Sequence, residues 1–455
     1  MKTGWRGGIR CDRKIPRMSL WAYVETYGCQ MNVADTEIVL GLLQAAGYQR
    51  TRDPAKADVI LINTCAVREK AVERVWGRAS TLATYKTRRP QVVLGITGCM
   101  AEHLSGQLRE RAPFVDLVVG PDSYRRLAAH IAEARAGAKI DDVALDPHET
   151  YQGLDPARDA TGTVVGHIAV QRGCDRFCSF CVVPHTRGRE RGVSPDEVLR
   201  QAAALVAAGG KEVQLLGQTV TSYRHGEVGF ADLLRTLAGL DGLERIRFMS
   251  PYPLGFSDDV IAAMAGSPKI CKHVHLPLQS ASDAVLARMR RGYSFAQYCE
   301  LVRVLRAALP GLAITTDLLV GFCGETEQEL AETVRALREL RFDNAFTFAY
   351  SERAHTLASR TMADDVPAEV KQQRLAQVID VQRQITGEIH AAQVGRRERV
   401  LLETASRRSA HELLGRTDSF RSVIVPAGPT ATLGALLDVK IERANPATLF
   451  ASVVP

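Results

Sequence analysis

The sequence lacks the features that would place a protein in or across a membrane. No apolar run approaches the roughly 18 residues that a spanning helix needs, and residues 1–20 contain no apolar segment of the kind found in secretory signals. We therefore predict a soluble, cytoplasmic protein without a membrane partner. Residues 1–20 carry six Lys or Arg against one Asp. We expect a disordered basic leader, with Met1 and Met18 as alternative start residues.

Motifs for two common classes of chemistry are also missing. The chain has neither a Walker loop for nucleotide phosphates nor a nucleophile elbow for hydrolysis. Its 455 residues, 46% of them hydrophobic and 24% charged, are enough for two to four globular domains. Ten cysteines without a secretory signal favour a reducing compartment, where such residues are more often metal ligands than disulfides.

Three of the cysteines, Cys174, Cys178 and Cys181, form a C-x-x-x-C-x-x-C run. The run is too short to close a disulfide framework, and thiols are too soft for a hard cation. Three thiolates can hold three irons of a cubane cluster and leave the fourth iron open. Structural zinc is the alternative, but it needs a fourth ligand, for which His185 is the nearest candidate. The spacing predicts a metal centre and favours a cluster over zinc.

Residues 21–137 alternate short apolar runs with amphipathic stretches, which predicts an N-terminal doubly wound parallel α/β domain. Cys29, Cys65 and Cys99 each follow an expected strand by one or two residues. Because the carboxyl ends of parallel strands share one edge of the sheet, the three thiols should converge there. One buried cysteine is usually only a small apolar side chain. Three of them in equivalent positions favour a second metal site.

The rest of the chain divides into three parts. Residues 138–163 are polar, with several Asp, Pro and Gly, and we expect a linker. Six apolar runs separated by helical patterns within 164–390 predict a partial (β/α)6 barrel with active residues at the strand carboxyl ends. Short β-like runs within 391–455 predict a small β-barrel, and its basic excess suits a polyanion. The arginines of Arg187-Gly-Arg-Glu-Arg191 are candidate phosphate ligands, and a solvated charged surface is the alternative.

Several segments resemble known families. The C-x-x-x-C-x-x-C run with Phe180 is similar to the radical S-adenosylmethionine superfamily. Three further segments resemble the amino-terminal domain of the methylthiotransferases in that superfamily. They are Tyr27-Gly-Cys-Gln-Met-Asn32, Asn63-Thr-Cys-Ala-Val-Arg-Glu-Lys70 and Gly98-Cys-Met-Ala-Glu102. Two segments near the carboxyl terminus, Gln393-Val-Gly and Gly415-Arg-Thr-Asp418, resemble the TRAM module, which is an RNA-binding β-barrel. The resemblance runs from about Trp21 to the carboxyl terminus.

The resemblance implies two 4Fe–4S clusters and S-adenosylmethionine as cofactors. The ligands of the cluster that cleaves S-adenosylmethionine would be Cys174, Cys178 and Cys181. The ligands of an auxiliary cluster, which supplies or carries the sulfur, would be Cys29, Cys65 and Cys99. Contacts with S-adenosylmethionine are expected from residues near strand ends, namely Phe180, Gln218, Gln279, Ser280 and Asp317.

The chain departs from the family pattern at a few positions, none of which is a cluster ligand. Cys323 stands where Pro is usual, and Ala281 where Gly is usual. Glu352 and His355 interrupt the pattern Tyr-Ser-x-Arg-x-Gly-Thr, with His355 at the position of the Gly. In the TRAM-like region, Phe420 replaces the usual Asn.

By this resemblance the protein would be a transferase that 2-methylthiolates isopentenyladenosine beside the anticodon of tRNA. Gly28-Cys-Gln-Met-Asn32 favours this substrate over threonylcarbamoyladenosine in tRNA or a ribosomal-protein aspartate. The implied partners are the anticodon stem-loop, an electron donor such as flavodoxin or ferredoxin, and a sulfur donor that the sequence does not identify. We expect a monomer. The alternative of another class is a non-catalytic iron–sulfur protein that binds RNA or senses redox state.

Overall fold

The computed structural model describes residues 20–66, 69–158 and 162–454, and for residues 69–73 it describes the backbone only. The basic leader expected over residues 1–20 lies outside the described residues, apart from Leu20 at the start of the first strand. Within the described segments, no helix combines the length and the apolar character needed to cross a bilayer. Three units follow one another along the chain.

The first unit is a six-stranded parallel sheet with helices on both faces. Its strands are β1 (Leu20–Tyr27), β2 (Tyr48–Arg50), β3 (Val59–Thr64), β4 (Val93–Gly98), β5 (Leu117–Val119) and β6 (Ile140–Asp142). Its helices are α1 (Gln30–Ala45), α2 (Glu69–Arg88), α3 (Cys99–Arg111) and α4 (Leu127–Arg135). The strand order β2-β1-β3-β4-β5-β6 confirms the predicted doubly wound α/β fold.

The middle of this sheet is made from apolar strands that are covered on both faces. Every residue of β3 and β4 is buried, as expected for parallel strands between two helical layers. Leu61 packs in the core formed with α1 and α4, whereas Ile60 and Ile62 pack in the core formed with α2 and α3. Because β1, β3 and β4 are neighbours, the cysteines that follow them share one edge.

The segment 138–163 is not the free linker that its composition predicts. Its first residues form β6, which pairs in parallel with β5, and Tyr151 and Leu154 are buried in the core beside α1 and α4. Glu149 is also buried and pairs with Arg125. β6 could not be predicted from the sequence, because a three-residue polar strand at a sheet edge has no apolar run.

The second unit is an open barrel with six parallel strands. These are β7 (Val165–Ala169), β10 (Glu212–Leu216), β13 (Arg245–Phe248), β14 (His273–His275), β15 (Ala313–Val320) and β16 (Asn344–Ala349). A bridge between Ile246 and Ile270 connects the two three-stranded halves, so the order follows the chain. Two small hairpins pair β8 (Gln171–Arg172) with β9 (Arg191–Gly192), and β11 (Arg224–His225) with β12 (Val228–Gly229).

Helices connect and cover the barrel strands. They are α5 (Val183–Arg187), α6 (Pro195–Ala207), α7 (Phe230–Ala238), α8 (Asp258–Gly266), α9 (Asp283–Arg288), α10 (Phe295–Ala308), α11 (Glu327–Leu340), α12 (Leu357–Thr361) and α13 (Ala368–Ala391). Ser294 and Thr326 cap α10 and α11 by accepting a hydrogen bond from the backbone three residues on. Strands and helices together confirm the predicted partial (β/α)6 barrel.

The third unit is a closed five-stranded barrel. Its strands are β17 (Arg397–Ala405), β18 (Glu412–Thr417), β19 (Ser422–Pro426), β20 (Leu436–Ala444) and β21 (Leu449–Val453). They close in the order β17-β18-β19-β21-β20 around a core that includes Val400, Val423 and Ile441. The predicted small β-barrel is confirmed.

This third unit closes the amino end of the central barrel. Arg247 on β13 donates to the Asp418 carbonyl at 2.9 Å and to Glu212 at 3.1 Å. Phe420 lies beneath the Arg247 guanidinium, 4.6 Å from it, and its ring stacks on His273 at 4.9 Å. Phe420 has a left-handed backbone, with φ of 67°. The residue that departs from the TRAM pattern is thus one of the contacts that join the two barrels.

We expect Phe420→Ala to loosen this junction, because the ring packs between a buried guanidinium and an imidazole. The expected loss is about 2 kcal/mol, below the range for a fully buried phenylalanine, as measured by urea unfolding. Phe420→Asn is the matched control for the backbone, since Asn tolerates a left-handed conformation. Wild-type stability in both variants would contradict a joining role for the ring.

Candidate active site at the two cysteine triads

The first triad lies at the carboxyl edge of the N-terminal sheet. Cys29 precedes α1 as its N-cap, Cys65 follows β3, and Cys99 is the first residue of α3. At Gly28, where φ is 149°, a Cβ atom would lie 2.7 Å from Cys65 Cβ, so only glycine lets the two loops approach so closely. A hydrogen bond with Cys65 and the positive charge of Arg187 lower the pKa of the Cys29 thiol to about 6.

Two buried asparagines fix the loops of this triad. Asn32 Nδ2 donates to the Thr64 carbonyl at 3.0 Å, and Asn32 Oδ1 accepts from the Cys29 N–H at 3.3 Å. Asn63 Nδ2 donates to the Asn32 carbonyl at 2.9 Å. Both asparagines have no exposed surface. Their side chains tie the Cys29 turn to the end of β3.

The second triad lies in the loop that follows β8. The Cys181 N–H donates to the Cys178 carbonyl at 3.0 Å, and the Ser179 N–H donates to the Met289 carbonyl at 3.0 Å. Burial raises the pKa of Cys174 to about 11 and that of Cys181 to about 12. Such thiols keep their protons near neutral pH unless a metal ion displaces them.

The groups around both triads suit thiolate-bound clusters. Arg187 Nε donates to the Cys99 sulfur at 3.1 Å, and an Arg291 nitrogen donates to the Cys178 sulfur at 3.3 Å. Guanidinium donors stabilise anionic thiolates. Among the described residues, no three Cys, His, Asp or Glu side chains are spaced to hold a single metal ion. In a cubane cluster each thiolate would bind a different iron.

Arg187 connects the segment that follows the second triad to the first triad. It is the last residue of α5, which begins two residues after Cys181. Two of its nitrogens pair with both carboxylate oxygens of Asp35 on α1, while Nε donates to Cys99. The Arg187 side chain is 2% exposed and that of Asp35 is fully buried. One residue of the central domain therefore holds both a helix and a thiol of the N-terminal domain.

A second buried acid, Asp122, strengthens the same interface. It pairs with Arg172 and Arg191 of the central domain, all three with side chains no more than 7% exposed. Arg172 also lies over the Tyr151 ring, 3.6 Å from its centroid. The expectation that Arg187 and Arg191 hold phosphate is therefore wrong, because their guanidinium groups are engaged inside the protein.

Phe180 and Gln218 lie beside loops at the carboxyl end of the central barrel. Phe180 is partly buried and packs edge-on against Phe322, with 6.3 Å between ring centroids. Gln218 follows β10, and its backbone N–H donates to Gln171 Oε1 at 2.9 Å. Its own side-chain Oε1 is buried and has no hydrogen-bond partner among the described residues. An unpartnered buried acceptor suits a ligand that brings a donor.

Gln279, Ser280 and Asp317 lie where the chain after β14 passes β15. Gln279 has φ of 75°, and its N–H donates to the Asp317 carbonyl at 2.8 Å. The Asp317 carboxylate lies 3.3 Å from His275 Nε2. The buried Ser280 hydroxyl is instead 3.3 Å from the Thr333 hydroxyl on α11. Ser280 is therefore engaged within the fold, whereas Asp317 and Gln279 keep part of their surface exposed.

The inner wall of the barrel carries two aromatic residues that sequence reasoning missed. Phe346 and Phe348 alternate along β16 and are 44% and 37% exposed. Ala345 and Thr347, which alternate with them, line a groove together with α13 on the outside of the barrel. Because successive side chains of a strand point to opposite faces, the two rings face the interior. The Phe346 ring lies 5.5 Å from His275. The alternation was visible in the sequence, but it could not show which face of β16 is open.

Comparison with known proteins identifies relatives along the whole chain. Family models match over residues 21–120 (Uncharacterized protein family UPF0004), 168–337 (Radical SAM superfamily) and 391–454 (TRAM domain). A tRNA-2-methylthio-N(6)-dimethylallyladenosine synthase of Chlorobium luteolum is 44% identical, covering 94% of this chain and 96% of the relative. The corresponding synthase of Porphyromonas gingivalis is 42% identical over 95% and 94%. This chain belongs to that family of radical S-adenosylmethionine methylthiotransferases.

Other matches extend the comparison. A mitochondrial tRNA methylthiotransferase of Rattus norvegicus is 42% identical, covering 89% of this methylthiotransferase and 74% of the relative. Among solved structures, a radical S-adenosylmethionine methyltransferase of Kitasatospora setae matches with a TM-score of 0.55 at 16% identity, over 73% and 75% of the two chains. This last likeness concerns the fold alone. Membership of the radical SAM superfamily implies a 4Fe–4S cluster and S-adenosylmethionine as cofactors.

We expect Arg187→Met to destabilise the methylthiotransferase by about 3–5 kcal/mol, because the change leaves Asp35 buried without a counter-charge. Urea unfolding of the metal-free protein measures the loss. The matched control is Arg189→Met, which removes an exposed pair with Asp175 and should leave stability unchanged. Adding Asp35→Asn to Arg187→Met should recover part of the loss. Equal stability of the two single variants would show that the buried pair does not hold the domains.

Proposed function

We propose that this enzyme 2-methylthiolates isopentenyladenosine beside the anticodon of tRNA. The observation that carries the proposal is the pair of cysteine triads, on two domains whose buried interface Arg187 spans by contacting Cys99 and Asp35. A transferase that replaces hydrogen with a sulfur group needs a site that opens the C–H bond and a site that carries sulfur. Full-length relatives that are named for this product support the same assignment.

The two triads would hold two clusters with different tasks. We assign the cluster that works with S-adenosylmethionine to Cys174, Cys178 and Cys181, and an auxiliary cluster to Cys29, Cys65 and Cys99. When bound, these groups supply the one-electron chemistry and the sulfur that acid–base residues cannot provide for an unactivated aromatic C–H bond. Arg291 and Arg187 hold a sulfur of each triad by donating N–H groups.

Side chains at the carboxyl end of the barrel would orient S-adenosylmethionine. Gln218 offers an acceptor with no protein partner among the described residues, and Asp317 offers a carboxylate beside His275. Phe180 offers an aromatic surface, and Gln279 lies in the strained turn beside Asp317. The remaining predicted contact, Ser280, would act indirectly by holding this turn through Thr333.

The target base would enter from the open side of the barrel. Phe346 and Phe348 present partly exposed rings on the inner face of β16, and base stacking on an aromatic ring contributes about 1–3 kcal/mol per base. The sequence Gly28-Cys-Gln-Met-Asn32 supports isopentenyladenosine over threonylcarbamoyladenosine or a ribosomal-protein aspartate. The electron donor, the monomeric state and the cytoplasmic location stay predictions.

The triads can be tested separately. We expect about eight irons in the anaerobically reconstituted enzyme, and about four each in a Cys29/Cys65/Cys99 and a Cys174/Cys178/Cys181 triple Ala variant, since each triad would hold one 4Fe–4S cluster. Only the wild type should form methylthio product on isopentenylated tRNA, as read by nucleoside mass spectrometry. Cleavage of S-adenosylmethionine should survive loss of the first triad and be lost with the second.

Other results would change the proposal in defined ways. Two clusters and cleavage of S-adenosylmethionine without tRNA product would move the assignment to threonylcarbamoyladenosine or the ribosomal-protein aspartate. Two clusters without cleavage would support a non-catalytic iron–sulfur protein. Iron at only one triad would refute the two-cluster mechanism.

The exposed basic face of the C-terminal barrel gives a further prediction. Arg397 pairs across the strands with Lys440, and both are exposed, as is Arg399. Changing these three residues to Gln should weaken the binding of modified and unmodified tRNA equally. It should also reduce the slope of log affinity against log salt by about 0.7–0.9 per lost phosphate contact, as measured by filter binding.

The matched control is the same loss of charge on the outer helices, with Arg303, Arg335 and Arg338 changed to Gln. These residues are exposed on α10 and α11. We expect no change in tRNA affinity from this control. An equal effect of the two triple variants would indicate that only overall charge matters, which would contradict a specific RNA-binding face.

A further inference from the structure

A cavity of about 510 Å³ opens between the N-terminal and central domains. Residues 102–107 of α3 form one wall. The opposite wall includes His185 on α5, His355 in the loop after β16, and Arg360 on α12. None of these residues belongs to either cysteine triad or to the predicted contacts with S-adenosylmethionine.

Basic side chains converge on this cavity without acidic partners. His103, His185, His355 and Arg360 all line it, and the His103 and His355 rings meet edge to face at 5.9 Å. Within the described part of the chain, no side-chain hydrogen bond or ion pair involves any of these four residues.

The basic groups around the cavity repel one another when they are charged. Burial, together with His355, Arg353 and His185, lowers the pKa of His103 to about 4. Burial, Arg360 and His355 also lower the pKa of His185. Glu102 does not balance them, since burial and the nearby Asp122 and Asp142 raise its pKa to about 8. A bound anion would offset this repulsion and favour the protonated form of the imidazoles beside Arg360.

The backbone conformation of His355 also indicates a binding site. His355 has φ of 68°, a left-handed conformation that costs a non-glycine residue about 1–2 kcal/mol. The family pattern has Gly at this position, whereas this chain keeps an imidazole there at that cost. Strained residues of this kind concentrate at functional sites. The exposed imidazole then adds a donor to the rim of the cavity.

The position of the cavity relates it to the chemistry. His103 lies four residues after Cys99, one turn along α3, and His185 lies four residues after Cys181 on α5. A group held in the cavity would thus contact α3, which begins at Cys99, and α5, which begins two residues after Cys181. Because a tRNA substrate is a polyanion, a backbone phosphate is the anion that would come to this place.

We propose that this cavity binds a backbone phosphate of the RNA substrate near the modified nucleotide. The inference rests on the proposed function, because that function supplies the RNA. Arg360 contributes a permanent charge, His185 and His355 contribute imidazole N–H donors, and His103 forms the wall behind them. The contact would position the anticodon loop against the interface that Arg187 holds together.

The test uses the reconstituted holoenzyme and a fluorescent isopentenylated anticodon stem-loop. We expect Arg360→Gln and His355→Gly each to weaken binding about fivefold to tenfold, and to reduce the salt slope by about 0.7 for one lost contact with single-stranded RNA. His148→Gln, which changes an exposed histidine outside the cavity, is the matched control and should bind as wild type. Iron content and RNA-free cleavage of S-adenosylmethionine should be unchanged in all three.

Two further measurements identify the anion. A neutral methylphosphonate placed at one linkage of the loop should weaken wild type but not Arg360→Gln. Binding by wild type should also strengthen from pH 8 to pH 6, because Glu102, whose pKa is raised to about 8, loses its negative charge beside the phosphate over this range, and this gain should shrink in a Glu102→Gln variant.

The cavity assignment would be overturned if Arg360→Gln and His355→Gly bound RNA with wild-type affinity and salt slope and still formed product. The proposed function would then remain intact. Stabilisation by inorganic phosphate alone, without any effect of the variants on RNA, would also overturn it. Absence of both RNA binding and product in the wild type would instead refute the proposed function.

Discussion

The arrangement of the active site depends on one buried ion pair, between Arg187 of the central domain and Asp35 of the N-terminal domain. Removing two charges from water is costly, and the cost is offset only when the geometry is good and the remaining donors are used. Arg187 meets this condition, because two of its nitrogens meet both carboxylate oxygens and the third meets the Cys99 sulfur. Arg187 can make all these contacts in only one arrangement of the two domains. That arrangement sets the position of one triad relative to the other.

The two ends of the central barrel have different tasks. The amino end is closed by the C-terminal barrel, where Arg247 bonds to Glu212 and to the Asp418 carbonyl, and Phe420 fills the space beside His273. The carboxyl end keeps the cysteine loop and the partly exposed Phe346 and Phe348. Closing one end leaves the substrate only the other end and the open side of the barrel.

Burial divides the arginines into those engaged inside the fold and those exposed on its surface. Arg172, Arg187 and Arg247 are among the largest side chains that the fold buries completely, and each has an acidic partner in the interior. The exposed Arg397 and Arg399 of the C-terminal barrel lie on a surface that an RNA backbone can reach. Net charge alone cannot separate these groups, because a guanidinium contributes the same charge in either place.

The sequence by itself determined the three folds, since the repeated strand–helix pattern, the six apolar runs and the short terminal strands reflect local periodicity. It also determined that Cys29, Cys65 and Cys99 share an edge, because parallel strands all end on the same side. It could not reveal β6, whose three polar residues gain a partner only in the sheet. The contacts of Arg187, Phe420 and His355 were decided only by the tertiary structure. Their partners lie on elements distant in sequence, and burial and ion pairing depend on how the domains meet.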